Sequence, residues 1–167
     1  MDVTADVAHG YLLPKGRRVA HAVIHLLPEA SRAPMEVFDV PELQDFADLY
    51  LRTPVETLVE YQEGAWDNNL IIVSSLNIEP SFRGRNLSYT VMDSIRSVMG
   101  RAGSLVAINA APVVRGTGPD ADAAYARGRA ALRAHWERYG FGHVGGGLML
   151  TRNFTDTDEK HPSLHVW

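Results

Sequence analysis

The sequence predicts a mixed α/β (α+β) domain, and three observations carry that reading. In the second half, strand and helix patterns alternate as strand, loop, helix, strand, helix, strand. Each helical run has its own stop signal, Gly100 with Gly103 after the first and Gly140 after the second. The 167 residues are 46% hydrophobic, which suits one globular domain over residues 1–167 with its own core.

The elements follow in order. Residues 1–14 read as a loose end. Val19, His21, Val23, His25 and Leu27 then alternate with Ala20, Ala22, Ile24 and Leu26, as in a strand buried on both faces. Residues 35–38 are a candidate second strand. Asp39 and Glu42 bracket a helix start with Pro41 in its first turn, and Leu43, Phe46, Ala47 and Tyr50 share one face. Thr53-Pro54-Val55-Glu56 is a capping box with proline at the first helical position. A polar loop over 62–69 leads into a strand over 69–78 that contains Leu70-Ile71-Ile72-Val73.

Leu87, Val91, Ile95, Val98 and Met99 recur at helical spacing. A strand is expected over 104–111, a loop over 113–119 and a long arginine-rich helix over 120–139. The turn Gly145-Gly146-Gly147 precedes a last strand over 148–151, and residues 153–167 form a second loose end.

Composition narrows the function classes. The chain has no cysteine, which excludes a disulfide framework, a thiolate zinc site and a cysteine nucleophile. No stretch reaches the roughly 20 apolar residues of a membrane span. Lys15-Gly16-Arg17-Arg18 followed by apolar residues imitates a signal sequence, but His21 and His25 interrupt it and no small-residue cleavage site follows. A cytoplasmic protein with no membrane partner is expected. The net charge of −4 hides an asymmetry: residues 1–82 carry 5 basic and 13 acidic side chains, and residues 83–152 carry 10 arginines and 4 acids. A basic half can serve a polyanionic ligand and an acidic half a cationic one. An acidic protein without a Lys/Arg run is a poor fit to general nucleic-acid binding.

The segment with the clearest chemistry is residues 79–88. A strand that ends in a tight turn and opens a helix aims backbone N–H groups at one spot, at the positive end of the helix dipole. Arg83 and Arg85 add charge beside it. The run Leu76-Asn77-Ile78-Glu79-Pro80-Ser81-Phe82-Arg83-Gly84 resembles the LxVxPxxRG signature of the GNAT superfamily of N-acetyltransferases. Downstream, Arg133-Ala134-His135-Trp136-Glu137-Arg138-Tyr139-Gly140-Phe141 is similar to that superfamily's (F/Y)YexxGF pattern. The resemblance covers residues 70–151 and does not extend to the first 69.

The resemblance implies a GNAT-like fold, a mostly antiparallel mixed sheet with splayed middle strands and flanking helices. It implies acetyl-CoA as co-substrate, with its pyrophosphate on Arg83, Gly84, Arg85, Asn86, Leu87 and Ser88. Asn86 and Ser88 stand where the superfamily has small residues. Asn is the non-glycine residue best suited to positive φ, and the Ser88 hydroxyl is a donor for a phosphate oxygen. The pantetheine is expected beside Asn77 and Ile78, with a backbone amide near Ile78 at the thioester oxygen.

The implied reaction is direct attack of a primary amine on the thioester in a ternary complex. The tyrosine that relatives use as acid falls on Trp136, whose indole is no proton donor of use. Their glutamate base falls near Ser74 and Ser75. Ser75, His135 and Tyr139 are therefore the catalytic candidates, although Tyr139 suits a core position and His135 is turned about 100° from Trp136 around the helix. Glu79 reads as a rim residue. Asn109 suits the channel wall or a buried turn.

No metal is expected. His21 and His25 share a strand face at about 13 Å, too far for one ion. His161 and His165 read as exposed, and Trp66 and Trp167 as packing or interface residues. The expected function is N-acetylation of a small-molecule or amino-acid-like amine, with a homodimer as candidate assembly. The alternatives are a non-catalytic acyl-CoA-binding module and an acetyltransferase acting on a protein or aminoacyl-tRNA.

Overall fold

Leu70-Ile71-Ile72-Val73 is apolar without alternation, and it lies where both faces of a strand are covered, near the middle of a sheet. The structure, a computed structural model, describes residues 4–5, 19–28, 35–51, 69–100, 104–112 and 117–152. Among the described residues six strands form one sheet: β1 (Thr4–Ala5), β2 (Ala20–Leu27), β3 (Leu70–Ile78), β4 (Leu105–Asn109), β5 (Gly142–Gly145) and β6 (Leu148–Arg152), in the order β1-β2-β3-β4-β6-β5. Only β3 and β4 run parallel; the other neighbours are antiparallel. A parallel pair needs a crossover, and helix α2 (Leu87–Met99) supplies it. With α1 (Gln44–Leu51) and α3 (Ala121–Tyr139) the architecture is α+β, a mixed sheet flanked by helices.

The period of two along each strand sends successive side chains into different cores. Ile71, Val73, Val106, Ile108 and Met149 pack with Val91, Met92 and Ile95 of α2 and with Trp136 and Tyr139 of α3. Leu70, Ile72, Leu105, Ala107, Leu148 and Leu150 pack on the opposite side with Phe38, Leu43 and Phe46. Between β2 and β3 the register steps from Val23↔Ser75 to Ile24↔Val73, leaving Ser74 as a bulged residue. The bulge reverses the parity of β3. Before it Ile71 and Val73 face the helix-side core, and after it Leu76 and Ile78 do, which puts Ser75 and Asn77 on the other face.

Helix α3 ends because Gly140 adopts φ 109°, a left-handed conformation that glycine enters without a Cβ penalty. Gly140 N donates to Glu137 O at 3.0 Å and Phe141 N to Trp136 O at 3.0 Å, closing the last turn. Phe141 is thereby buried edge-on against Trp136, with ring centroids 5.5 Å apart.

Several expectations are corrected. Residues 35–38 are not a strand: Met35–Asp39 is a 3-10 helix, in which Phe38 is buried while Glu36 and Asp39 are exposed. The next turn is capped by Val40, not Asp39, and carries no side-chain cap bond. Pro41 holds Val40 extended at φ −71°, ψ 126°, so Pro41–Leu43 winds as 3-10 before α1 begins. Strand β2 is buried unevenly on its two faces: Ala20, Ala22 and Ile24 are buried in the helix-side core and Leu27 in the opposite one, whereas His21, Val23 and His25 are half-buried. Within the expected loose end, Thr4 and Ala5 pair with His25 and Ile24. Strand β5 was not expected, because Gly142-His143-Val144-Gly145 carries little strand propensity; its pairing with β6 creates it. The Thr53 capping box, Trp66, Trp167, His161, His165 and residues 153–167 lie outside the described residues.

Gly147 tests how tightly the β5–β6 turn is packed. A Cβ there would fall on Oδ1 of Asn109 and reach 3.2 Å from Arg129 Nη2. Asn109 is held in place by its Nδ2 bond to Asp45 Oδ2 at 2.8 Å. Gly147→Ala should destabilise by about 1–3 kcal/mol, measured by urea unfolding. The penalty should shrink in an Asn109→Ala background, where the obstructing atom is gone.

Candidate functional site

The pairing of β3 with β4 stops at Val73↔Ile108. Strand β3 continues to Ile78 while Asn109 of β4 pairs onward with Leu148 of β6. The two strands part, and the gap is a cleft of about 490 Å³. Ser75, Asn77 and Ile78 line it from β3, Ile108 and Asn109 from β4, and Leu132, His135 and Trp136 from α3. Arg83 and Ser88 stand where the cleft meets the start of α2. Along residues 74–78 β3 has no β4 partner, so its backbone groups on that edge can serve a ligand.

The turn that feeds α2 is built from the chain's own constraints. Pro80–Phe82 forms one 3-10 turn, and Arg83 Nε donates to Ile78 O at 3.0 Å, folding the loop back on the end of β3. Gly84 takes φ 78°, with open space where a Cβ would stand. Asn86 takes φ 54°, ψ 22° and caps α2 without a side-chain bond. Two left-handed residues within three turn the chain sharply enough to expose the helix start. The first acceptor is Asn86 O, which takes Tyr89 N at 2.9 Å. The N–H groups of Leu87 and Ser88 therefore precede any intrahelical acceptor, at the positive end of the helix dipole. The Arg85 guanidinium lies 5.9 Å from the centre of the Phe82 ring.

Ser88 and His135 meet across the cleft wall, Oγ to Nε2, at 2.8 Å. A phosphate oxygen would share the Ser88 hydroxyl with this imidazole. His135 stacks on Tyr89 with centroids 4.4 Å apart, and the Tyr89 hydroxyl donates to His135 O at 2.7 Å. Burial and then the Arg138 charge lower the His135 pKa below the usual histidine value, so the ring is neutral at pH 7.

Of the other catalytic candidates, Ser75 lines the cleft and Tyr139 does not. The Tyr139 hydroxyl donates to the Asp93 carboxylate and accepts from Arg96 Nη1 at 3.4 Å. Burial, together with the Asp93 bond, pushes its pKa far up. Trp136 is buried at the cleft wall, edge-on to His135 at 5.1 Å. Glu79 is exposed, and its N–H donates to Val19 O at 2.9 Å.

Beside the Ser88 to His135 pair, two further contacts went unread in the sequence. Ser74 Oγ lies 3.3 Å from His25 Nε2, and Asn109 is bonded to Asp45. The only signal for the first was the polar pair Ser74-Ser75 inside an apolar strand. Among the described residues no group of three or more His, Asp or Glu is arranged to hold a metal, and no helix is long and apolar enough to cross a membrane. No protein-family model, curated protein or solved structure matches the chain.

The burial of His135 has a consequence for stability. The folded pKa of His135 lies below the unfolded one, so the unfolded chain takes up the proton first as pH falls. Stability supplied by the neutral ring is full above about pH 6.5 and is lost as pH falls through the folded pKa. The melting temperature should drop between pH 7.5 and 5, and His135→Gln should flatten that slope in scanning calorimetry.

Proposed function

We propose that this chain is an acetyl-CoA-dependent N-acyltransferase of GNAT type, acting on a primary amine of a small molecule or amino-acid-like acceptor. The observation that carries the reading is a coincidence of position. The left-handed turn through Gly84 and Asn86, with Arg83 beside it and the open start of α2 behind it, sits at the mouth of the cleft where the parallel strands part. Those are the parts a pyrophosphate on a slender polar arm requires: N–H donors and a cation at one end, unpaired strand edge along the arm, apolar walls around it. The order of elements from β3 to β6 supports the same reading, since it is the order that the two sequence motifs imply.

The residues divide the chemistry. Backbone amides of Leu87 and Ser88, with Arg83, hold the pyrophosphate. The free edge of β3 at Asn77 and Ile78 pairs the pantetheine amides and brings an N–H to the thioester oxygen as charge develops there. Leu132 and Trp136 exclude water from the wall. The amine attacks the thioester carbon, the C–S bond breaks and CoA leaves as thiolate. Thiols ionise near neutral pH, so the leaving group needs little help, in keeping with Trp136 at the position of the relatives' acid.

Burial of Trp136 and engagement of Tyr139 by Asp93 and Arg96 favour one second reading, a non-catalytic acyl-CoA-binding module. Release of free CoA from acetyl-CoA in the presence of a pool of primary amines separates the two. Amine-dependent release is the expected result; tight binding without release would establish the module. Acetyl-CoA should also raise the melting temperature, by about 2.7 kcal/mol of stabilisation at a hundredfold excess over Kd. No shift at millimolar acetyl-CoA would overturn both readings.

Asn86 provides the sharper test of the turn. Glycine adopts φ near 54° without strain and keeps the N–H, whereas a β-branched residue there is strained. Asn86→Gly should therefore hold or raise acetyl-CoA affinity by calorimetry, and Asn86→Val should lose it. Loss of binding in Asn86→Gly would mean that the side-chain amide itself contacts the ligand.

A further inference from the structure

Helix α3 walls two cavities with two of its faces. Leu132, His135 and Trp136 line the cleft between β3 and β4. Ala126, Arg129, Ala130 and Arg133, spaced three and four residues apart on a neighbouring face, line a second cavity of about 280 Å³. Its far wall is the β5–β6 turn at Gly146 and Gly147, and Ala110 closes it just past the end of β4. The hollow exists because alanines and glycines stand where longer side chains would fill it. His143 of β5 lines it as well. It pairs with Met149, whose side chain belongs to the helix-side core, so the imidazole faces α3.

The polar groups of this cavity are cationic or donors, and among the described residues no acidic side chain lines it. The Arg133 charge is already met by Glu137, Nε to Oε1 at 2.8 Å. Arg129 has no carboxylate partner among the described residues; its Nη2 donates instead to Gly146 O at 2.6 Å. That bond holds the guanidinium against the turn, where a Cβ on Gly147 would stand 3.2 Å from Nη2. A free surface arginine loses rotamer entropy when it engages a ligand. Arg129 is positioned beforehand, and the rest of its N–H fork remains for an acceptor.

We propose that this cavity binds a small aliphatic carboxylate, whether or not acyl transfer takes place in the main cleft. The planar fork of Arg129 matches the two carboxylate oxygens, and His143 adds a ring N–H beside it. The methyl groups of Ala126 and Ala130 cover a short alkyl body. Inorganic phosphate brings the same sign of charge but no apolar surface for those methyls, so the floor of the cavity favours the carboxylate. A volume of about 280 Å³ lies at the small end of ligand sites, which limits the body to a few carbon atoms.

The test is an amide NMR titration of the full chain with sodium acetate, propionate and butyrate at constant ionic strength, with inorganic phosphate alongside. Saturable shifts are expected at the Ala130, Gly146 and Gly147 amides, and Kd should fall about two- to fourfold with each added methylene. Arg129→Gln should weaken butyrate about tenfold or more. Arg129→Lys, which keeps the charge and loses the fork, should weaken it by about threefold. Should Arg129→Gln not fold, Ala130→Leu carries the test: Ala130 is an exposed helix position, and the larger side chain fills the cavity and should abolish the shifts. Shifts that grow without saturating, or that survive in Ala130→Leu, overturn the site. Phosphate binding as tightly as butyrate overturns the aliphatic carboxylate as its ligand.

Discussion

Everything in the candidate site depends on the parting of β3 and β4. Two parallel strands bonded along their first four pairs, Leu70↔Leu105 to Val73↔Ile108, then separate. Buried strand edges must find hydrogen-bond partners, because an unpaired buried N–H or C=O is expensive. Here the edges open on a cleft instead. The bulge at Ser74 lies at the same level, and bulges increase local twist and bend the bulged strand. One extra residue thus bends β3, reverses its parity and places Ser75 and Asn77 on the opposite face, whereas an even ladder would have put them in the helix-side core.

The second determinant is the left-handed turn before α2. With Gly84 at φ 78° and Asn86 at φ 54°, the helix start is presented toward the cleft without a side-chain cap. Most helices satisfy that end with Ser, Thr or Asp. Leaving it open costs about 1 kcal/mol in helix stability. Exposed Arg83 and Arg85 stand at this end of the cleft, and the exposed acids Glu36, Asp39, Glu42 and Asp45 stand on or beside α1. The charge asymmetry along the chain becomes an asymmetry in space.

Tyr89, His135, Trp136, Tyr139 and Phe141 form a continuous ring cluster under α2 and α3. It holds the two helices that frame the cleft, and it draws Tyr139 inward to Asp93 and Arg96. The aromatic residues of the second motif act here as packing.

By itself the sequence determined the α+β class, the positions of β3, α2, β4, α3 and β6, the tight turn at residues 83–88 and the left-handed preference at Asn86. All of these are local: period, stop signals and φ preference act over a few neighbouring residues. Tertiary structure alone decided the rest. Strand β5 exists because β6 pairs with it, residues 35–38 wind as 3-10 because Phe38 must reach a core shared with Leu43 and Phe46, and Ser74 is a bulge only relative to Val23 and Ile24 of β2. His25 and Ser74, Ser88 and His135, Asp45 and Asn109 lie 49, 47 and 64 residues apart in the chain. Such pairings follow from strand register and helix docking, which depend on the summed packing of the whole sheet, and no local pattern encodes that sum.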